Sequence, residues 1–318
     1  ARSRRKQSPL LTRMIRRDSP FVSLPADGVG VLGERAERGN DVLQSKDLAV
    51  AVVRGIHGLQ LGILREHGLA RNVDTIRGKH ANQHIPQITG ALETFRNTGE
   101  LDYFLVARNF FDMTRTGYMY SIGGVAGATN PNNAECFTAE PNTLFQNGFA
   151  RGGQNETCAT YNLLKLSRML FMFEPDARYM DYYEQALYNH ILASVVEHSP
   201  GNTYHVPLNP GARKQFGNAE MDGFTCCNGT AIESSTKLQD TIYLKAIDDS
   251  ALYVNLYVPS TLTWPERNVV VRQVTNFPHD DTTRLTIGGS GRFDLHVRVP
   301  RWATKGFFVT INGEEHAV

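Results

Sequence analysis

Cysteine is scarce: four in 318 residues are too few for a disulfide framework at this size, and two of them, Cys226 and Cys227, are adjacent. No stretch approaches the roughly 20 consecutive apolar residues that a membrane helix needs. The basic start, with Arg2, Arg4, Arg5 and Lys6, is not followed by the apolar run of a secretory signal. Net charge is missing as well. The 33 Lys and Arg against 32 Asp and Glu leave +1, which gives no general attraction to nucleic acid or to anionic membranes. No GxGxxG, P-loop, GxSxG or HExxH pattern occurs in its required context, so nucleotide binding and serine or zincin hydrolysis have no support. Repeats of fixed period and low-complexity tracts are also absent. These absences predict a soluble protein with neither nucleic-acid nor membrane partners, and unpaired thiols favour a reducing cytoplasm, although metal-protected thiolates survive outside it.

What is present is ordinary globular usage, 41% apolar and 20% charged, over a length that suits about two domains. Residues 1–75 are the least readable. The Arg2 to Arg17 cluster reads as a solvated face, and a helical period with Val52, Ile56, Leu59 and Ile63 starts only near Leu48. Ile85, Ile88, Leu92 and Phe95 predict one apolar helix face and Tyr103 to Met113 another, with Thr98-Gly99-Glu100 as the turn. A loop rich in Gly, Asn and Pro runs from Gly123 to Gly153, a length that needs a functional reason. Amphipathic helices are predicted over Thr157 to Phe173 and Ala177 to Val195, separated by Pro175, and over Thr230 to Tyr243 after the Cys226-Cys227 segment. Beyond Asp248 the period changes to two. Leu252, Val254, Leu256 and Val258 alternate, as do Phe293, Leu295, Val297 and Val299, before an Asn312-Gly313 turn. The expected division is an unassigned 1–75, a helical 76–245 and a β-rich 246–318.

The chemistry concentrates in Glu156-Thr157-Cys158 and Cys226-Cys227, three sulfurs and a carboxylate able to meet in space. Zinc takes four tetrahedral ligands from such groups, and a Cys3Glu set is chemically sensible. Spacing alone leaves three readings: a metal site, buried inert thiols, or a redox pair. A bound metal would hold the sulfurs as thiolates, the nucleophilic form of cysteine, and a thiolate could replace the carboxylate nucleophile of ordinary glycosidases. Such chemistry still requires a proton donor, and Glu135 and Glu140 on the long loop are the candidates. His80 and His205 are candidate substrate contacts, while His84 and His190 share with them the alternative of a satisfied structural imidazole. Tyr161, Tyr182, Tyr183, Tyr188 and Tyr204 either form a sugar-stacking wall or, at helical spacing, belong mostly to the core.

Residues from about His80 to Trp264 resemble the bacterial β-L-arabinofuranosidases, a family of glycoside hydrolases. The resemblance rests on His80-Ala81-Asn82 with Ile85-Pro86, Gly123-Gly124, Glu135-Cys136-Phe137, and Asn155-Glu156-Thr157-Cys158 with Tyr161-Asn162-Leu163-Leu164. It continues through Glu174-Pro175-Asp176, Tyr188-Asn189-His190 and Phe224-Thr225-Cys226-Cys227. It implies a mainly α fold, part of an (α/α)6 helical toroid, followed by a partial β-sandwich module. It also implies zinc as cofactor, held by Glu156, Cys158, Cys226 and Cys227, with Cys226 as nucleophile, Glu135 as acid/base and His80 against the sugar. The reaction implied is retaining release of L-arabinofuranose from an arabinofuranose-containing glycan through a glycosyl-cysteine. Residues 1–75 lack the family's pattern, so an inactive fragment remains an alternative, as does a non-catalytic helical protein with a structural zinc.

Overall fold

The structure is a computed structural model that describes residues 21–25, 68–127, 134–149, 154–217, 220 and 223–316. The helical period expected from Leu48 to Ile63 and the basic cluster Arg2 to Arg17 lie outside those residues. The chain divides into two compact units. One holds residues 68–170 and 182–237, the other residues 21–25, Phe171–Asp181 and 238–316.

The first unit is helical. Helix α1 (Ala81–Thr98) buries Ala81, Ile85, Ile88, Leu92 and Phe95, the predicted stripe, and helix α2 (Leu101–Gly117) buries Phe104, Ala107, Phe110, Phe111 and Thr114. The two pack on each other, and each fully buried Ile or Leu on this seam contributes roughly 1.5–3 kcal/mol. Gly99, at φ 76°, ends α1 by donating its N–H to the Phe95 carbonyl, a left-handed conformation that glycine adopts without a Cβ penalty. A short helix α3 (Leu144–Gly148) lies within the long loop.

Helix α4 (Thr157–Phe173) matches its predicted span and is buried on nearly every side, with Cys158, Tyr161, Leu163, Leu164, Leu166 and Leu170 all inside. Helix α5 differs from the reading Ala177 to Val195. It is α-helical over Ala177–Ala186, widens to a π turn over Leu187–Ile191, and tightens to a 3-10 turn over Leu192–Ser194. The wider turn holds His190, which is fully buried and shares a 2.7 Å hydrogen bond between its Nδ1 and Thr160 Oγ1. Apolar periodicity registers a helix but not this change of pitch.

Helix α6 starts at Cys226, not at Thr230, and ends at Lys237 with a 3-10 turn to Thr241, so the cysteine pair forms its first turn. The reason is a cap. Asn228 Oδ1 accepts from both the backbone N–H and the hydroxyl of Thr225 (2.5 and 2.8 Å), reaching back from the third helical position as in a capping box. A small pairing of β2 (Asn202–Thr203) with β3 (Phe216–Gly217) completes the unit. Among the described residues no helix is long and apolar enough to cross a membrane.

Apart from Phe171–Asp181, which holds the end of α4 and the start of α5, the second unit is built mainly of strands. Its four-stranded sheet has the order β1-β9-β5-β4, with β1 (Phe21–Pro25), β4 (Tyr243–Lys245), β5 (Ala251–Val254) and β9 (Asp294–Arg298). A three-stranded meander joins β6 (Ser260–Trp264), β7 (Val269–Thr275) and β8 (Thr283–Gly289). Side chains from both sheets share one core, including Leu252, Val254, Trp264, Val269, Val271, Leu295 and Val297. In β7 burial alternates strictly, as its period of two requires. Hairpin β10 (Val309–Ile311) and β11 (Glu314–His316) turns at Asn312-Gly313, both at positive φ, as predicted.

Two features were not anticipated. Strand β4 starts at Tyr243, the residue with which the predicted helix was expected to end. Residues 21–25, to which no structure was assigned, pair antiparallel with β9 across some 270 residues of sequence, a partnership that no local pattern reveals. The core also encloses an ion pair: Arg298, fully buried, reaches Asp181 at 2.7 Å and gives its Nε–H to the Asn255 carbonyl at 2.7 Å.

Candidate active site

Every residue of the predicted metal and catalytic set belongs to the helical unit. Glu156 precedes α4, and its carbonyl accepts the N–H of Thr160. The segment Asn155 to Thr157 runs alongside Tyr204 to Val206. Glu156 and His205 form a β-bridge, Thr157 N–H donates to the Tyr204 carbonyl, and Val206 N–H donates to the Asn155 carbonyl. Asn155 sits at φ 56° and anchors this bridge through Nδ2 to the Val206 carbonyl. The Gly123-Gly124 motif now has a reason, because a Cβ on Gly124 would lie 2.2 Å from Asn155 Oδ1.

The long loop is tied to the start of α1. His80 and Cys136 form a β-bridge, Ala81 N–H donates to the Glu135 carbonyl, and Phe137 is buried edge-on to Phe110 and Tyr118. Glu135 is thereby held facing His80, whose Nε2 lies 2.7 Å from Glu135 Oε2. Tyr204 donates its hydroxyl proton to the other carboxylate oxygen, Oε1, at 2.5 Å. Cys226 Sγ lies 3.4 Å from the same hydroxyl. Tyr204 therefore joins the loop carboxylate to the first sulfur of α6. The sequence reading counted it only among stacking or core aromatics. Its position next to His205 was the available signal, and nothing local announced its hydrogen-bonding role.

The sulfurs behave as separate thiols. Cys158 and Cys227 are buried with their Sγ atoms 3.4 Å apart, well beyond a disulfide bond of about 2.05 Å, and Cys226 is exposed. Cys158 also contacts Thr230 Oγ1 at 3.0 Å. The hydrogen bond with Cys227 holds the Cys158 thiol well above its ordinary value, and the same bond pulls Cys227 down. Glu156, only 1% exposed, is pushed up to about 8, first by burial and then by the negative charge of Cys227 and Glu135. Glu135 moves the other way. Burial opposes its ionisation, but the hydrogen bonds from Tyr204 and His80 outweigh that and lower it.

These groups fit a divalent metal. The ligand atoms of Glu156, Cys158, Cys226 and Cys227 all lie within 4.8 Å of one another. A tetrahedral zinc with bonds of about 2.3 Å to sulfur and about 2.0 Å to oxygen spaces its ligands by roughly 3.5–3.8 Å, so only a small contraction is needed. Glu156 is buried beside the sulfurs, and a cation at the cluster would offset the cost of its buried charge. Three sulfurs and a carboxylate are also a donor set that zinc favours.

The remaining candidates separate clearly. His205 packs its ring on Tyr204 with centroids 4.7 Å apart, and its Nε2 is buried without a partner. Glu140 does not join the cluster. It is surface-exposed and pairs with Arg77 at 2.6 Å, and Arg77 in turn bonds Asp74. His190 is buried and His84 half-buried, away from the ligand cluster, and each imidazole is held down at about 4 chiefly by desolvation. Tyr161, Tyr182 and Tyr183 are core, as the bland alternative had it.

Comparison with known proteins identifies the family. The family model described as beta-L-arabinofuranosidase, GH127 catalytic domain, matches residues 37–240, and the GH127 middle domain matches residues 251–318. A crystal structure of a GH127 beta-L-arabinofuranosidase from Geobacillus stearothermophilus T6 superposes with a TM-score of 0.63 at 26% identity, covering 75% of this chain and 38% of that one. A protein described as a glycoside hydrolase gives 0.63 at 19% identity over 88% of this chain and 53% of the other. A further GH127 beta-arabinofuranosidase gives 0.61 at 21% identity over 75% and 39%. The last two show the shared fold alone, and the chain spans less than two thirds of each of these structures. No curated protein matches.

Proposed function

Because the chain belongs to the GH127 beta-L-arabinofuranosidase family, we propose that it is a retaining glycoside hydrolase that releases L-arabinofuranose from an arabinofuranose-containing glycan. In this reading its helices are part of an (α/α)6 toroid. The observation that carries the proposal is the hydroxyl of Tyr204, which touches both Cys226 Sγ and Glu135 Oε1. Sharing one partner keeps sulfur and carboxylate oxygen within about 6 Å, close to the roughly 5–5.5 Å between the two catalytic groups of retaining glycosidases.

Two displacements follow from this pairing. In the first, Cys226 Sγ attacks the anomeric carbon, the bond to the leaving oxygen breaks, and Glu135 gives that oxygen its proton. In the second, Glu135 takes a proton from water, the water oxygen attacks the same carbon, and the carbon–sulfur bond breaks with its electron pair on sulfur. Two inversions leave the configuration unchanged. Zinc held by Glu156, Cys158, Cys226 and Cys227 would supply charge that stabilises thiolate sulfur. Glu135 needs a proton in the first step and none in the second. Its hydrogen bonds favour the ionised form, and burial favours the protonated form. His80 and His205 are assigned to the sugar, His80 at the edge of the carboxylate and His205 beneath Tyr204.

A second reading has support in one observation: Cys158 and Cys227 are buried in contact, as in a structural metal site. Replacing Cys226 by Ser separates the two. The hydrolase reading expects lost turnover of aryl β-L-arabinofuranosides with folding kept, whereas lost stability with no turnover in the parent chain would leave the structural reading.

A further inference from the structure

A second group of ligand atoms lies beside the sulfur site. His80, Glu135 and Glu156 offer one nitrogen and two carboxylate oxygens, all within 4.8 Å of one another. An imidazole and two carboxylates suit zinc and its neighbours in the first transition series. Independent of that clustering, Glu156 is 1% exposed and its Oε2 has no hydrogen-bond partner. A carboxylate has two oxygens, so one can serve the sulfur cluster while the other faces His80 and Glu135. His80 Nδ1 is buried and unpartnered as well, leaving Nε2, the atom on Glu135, as the ring's available donor.

We propose that His80, Glu135 and Glu156 form a second divalent-cation site that shares Glu156 with the sulfur cluster, binds more weakly than it, and silences hydrolysis when filled. Weaker binding follows from the ligands. The site has no thiolate, and its ion must displace the 2.7 Å contact between two side chains that are 30% and 33% exposed. Silencing follows from chemistry, because a carboxylate that ligates a metal can neither donate nor accept the proton that turnover needs. That half of the proposal rests on Glu135 being the acid/base, and the cation site itself does not.

The test uses metal-stripped protein titrated with cobalt(II), followed by equilibrium dialysis, absorbance and hydrolysis of an aryl β-L-arabinofuranoside. The first equivalent is expected to raise a thiolate-to-cobalt charge-transfer band and restore hydrolysis. The second binds without adding to that band, and hydrolysis falls at least about tenfold as it fills. In His80→Gln the first ion and its band remain, which reports an intact fold, and the second ion is lost. His80→Ala behaves alike. A single bound ion at millimolar cobalt, or a second ion retained in both variants, overturns the site. Hydrolysis undiminished by the second ion overturns the silencing and leaves the hydrolase reading standing. A second ion that binds and is lost in His80→Gln, with no hydrolysis at any loading, supports the cation site and sinks the hydrolase reading together with the silencing.

Discussion

Tyr204→Phe removes one oxygen from the centre of the site and should move the pH profile in a known direction. The Tyr204 hydroxyl donates to Glu135 at 2.5 Å and helps hold that carboxyl below its ordinary value. A hydrogen bond to a charged group contributes about 1.5–3 kcal/mol. Glu135 is a third exposed, so water takes over part of the lost bond, and about 1 kcal/mol remains. At 1.36 kcal/mol per unit that is a rise of about 0.7 pH units in the carboxyl. The first displacement needs Glu135 protonated, so kcat/KM falls as that group ionises, and this falling limb should shift to higher pH in the variant by about 0.7 units. The measurement is kcat/KM of an aryl β-L-arabinofuranoside across pH in both proteins, with infrared titration of the carboxylate band as a readout that does not depend on turnover. A limb that stays in place, or that moves to lower pH, would refute the hydrogen-bond account of Glu135.

Glu135→Gln should lower turnover about 10²- to 10⁴-fold, while Glu140→Gln, bound at the surface to Arg77, should change it less than about twofold; equal losses in steady-state assays would contradict the assignment. Cys158→Ser should abolish tight zinc binding measured by elemental analysis, since its sulfur is buried against Cys227; one zinc per chain retained in the variant would count against the four-ligand site. Asp181→Ala removes the carboxylate partner of the fully buried Arg298, which keeps its bond to the Asn255 carbonyl, and should cost about 2–4 kcal/mol in urea unfolding; a loss under 0.5 kcal/mol would show that the ion pair adds little to stability. Burial holds His190 at about 4, below the roughly 6.5 of an unfolded histidine, so unfolding takes up a proton and stability falls as pH drops from 6.5 towards 4. In His190→Gln the slope of urea stability against pH in that window should decrease by up to about 1.4 kcal/mol per pH unit; an unchanged slope would mean that the imidazole is already charged in the folded state.

Much of this molecule can be read locally. The stripe Ile85, Ile88, Leu92, Phe95, the span of α4, the alternation of β7 and the Asn312-Gly313 turn each follow from side chains within one element, because helix and strand periods are properties of a few consecutive residues. The donor set was legible by type: three sulfurs and a carboxylate on two segments about 70 residues apart, with Glu135 and Glu140 as candidate proton donors and His80 as a candidate sugar contact. The spacing left open a metal site, inert thiols or a redox pair, and it also left open whether those segments meet. The contact of Cys158 with Cys227, and the bridge of Glu156 with His205, come from packing two distant stretches together.

Tertiary structure alone decided the rest. It made Tyr204 the link between sulfur and carboxylate, put Glu140 at the surface, drew residues 21–25 onto β9, and left Glu156 Oε2 buried and unpartnered. Residue type and period set what each segment would bury and what chemistry it carries. Which atoms come within bonding distance depends on the summed small displacements of every packed element between them, and on burial that strips water from some groups and spares others. Those quantities belong to the assembled chain, because neither distance nor dielectric is written into any short stretch of sequence.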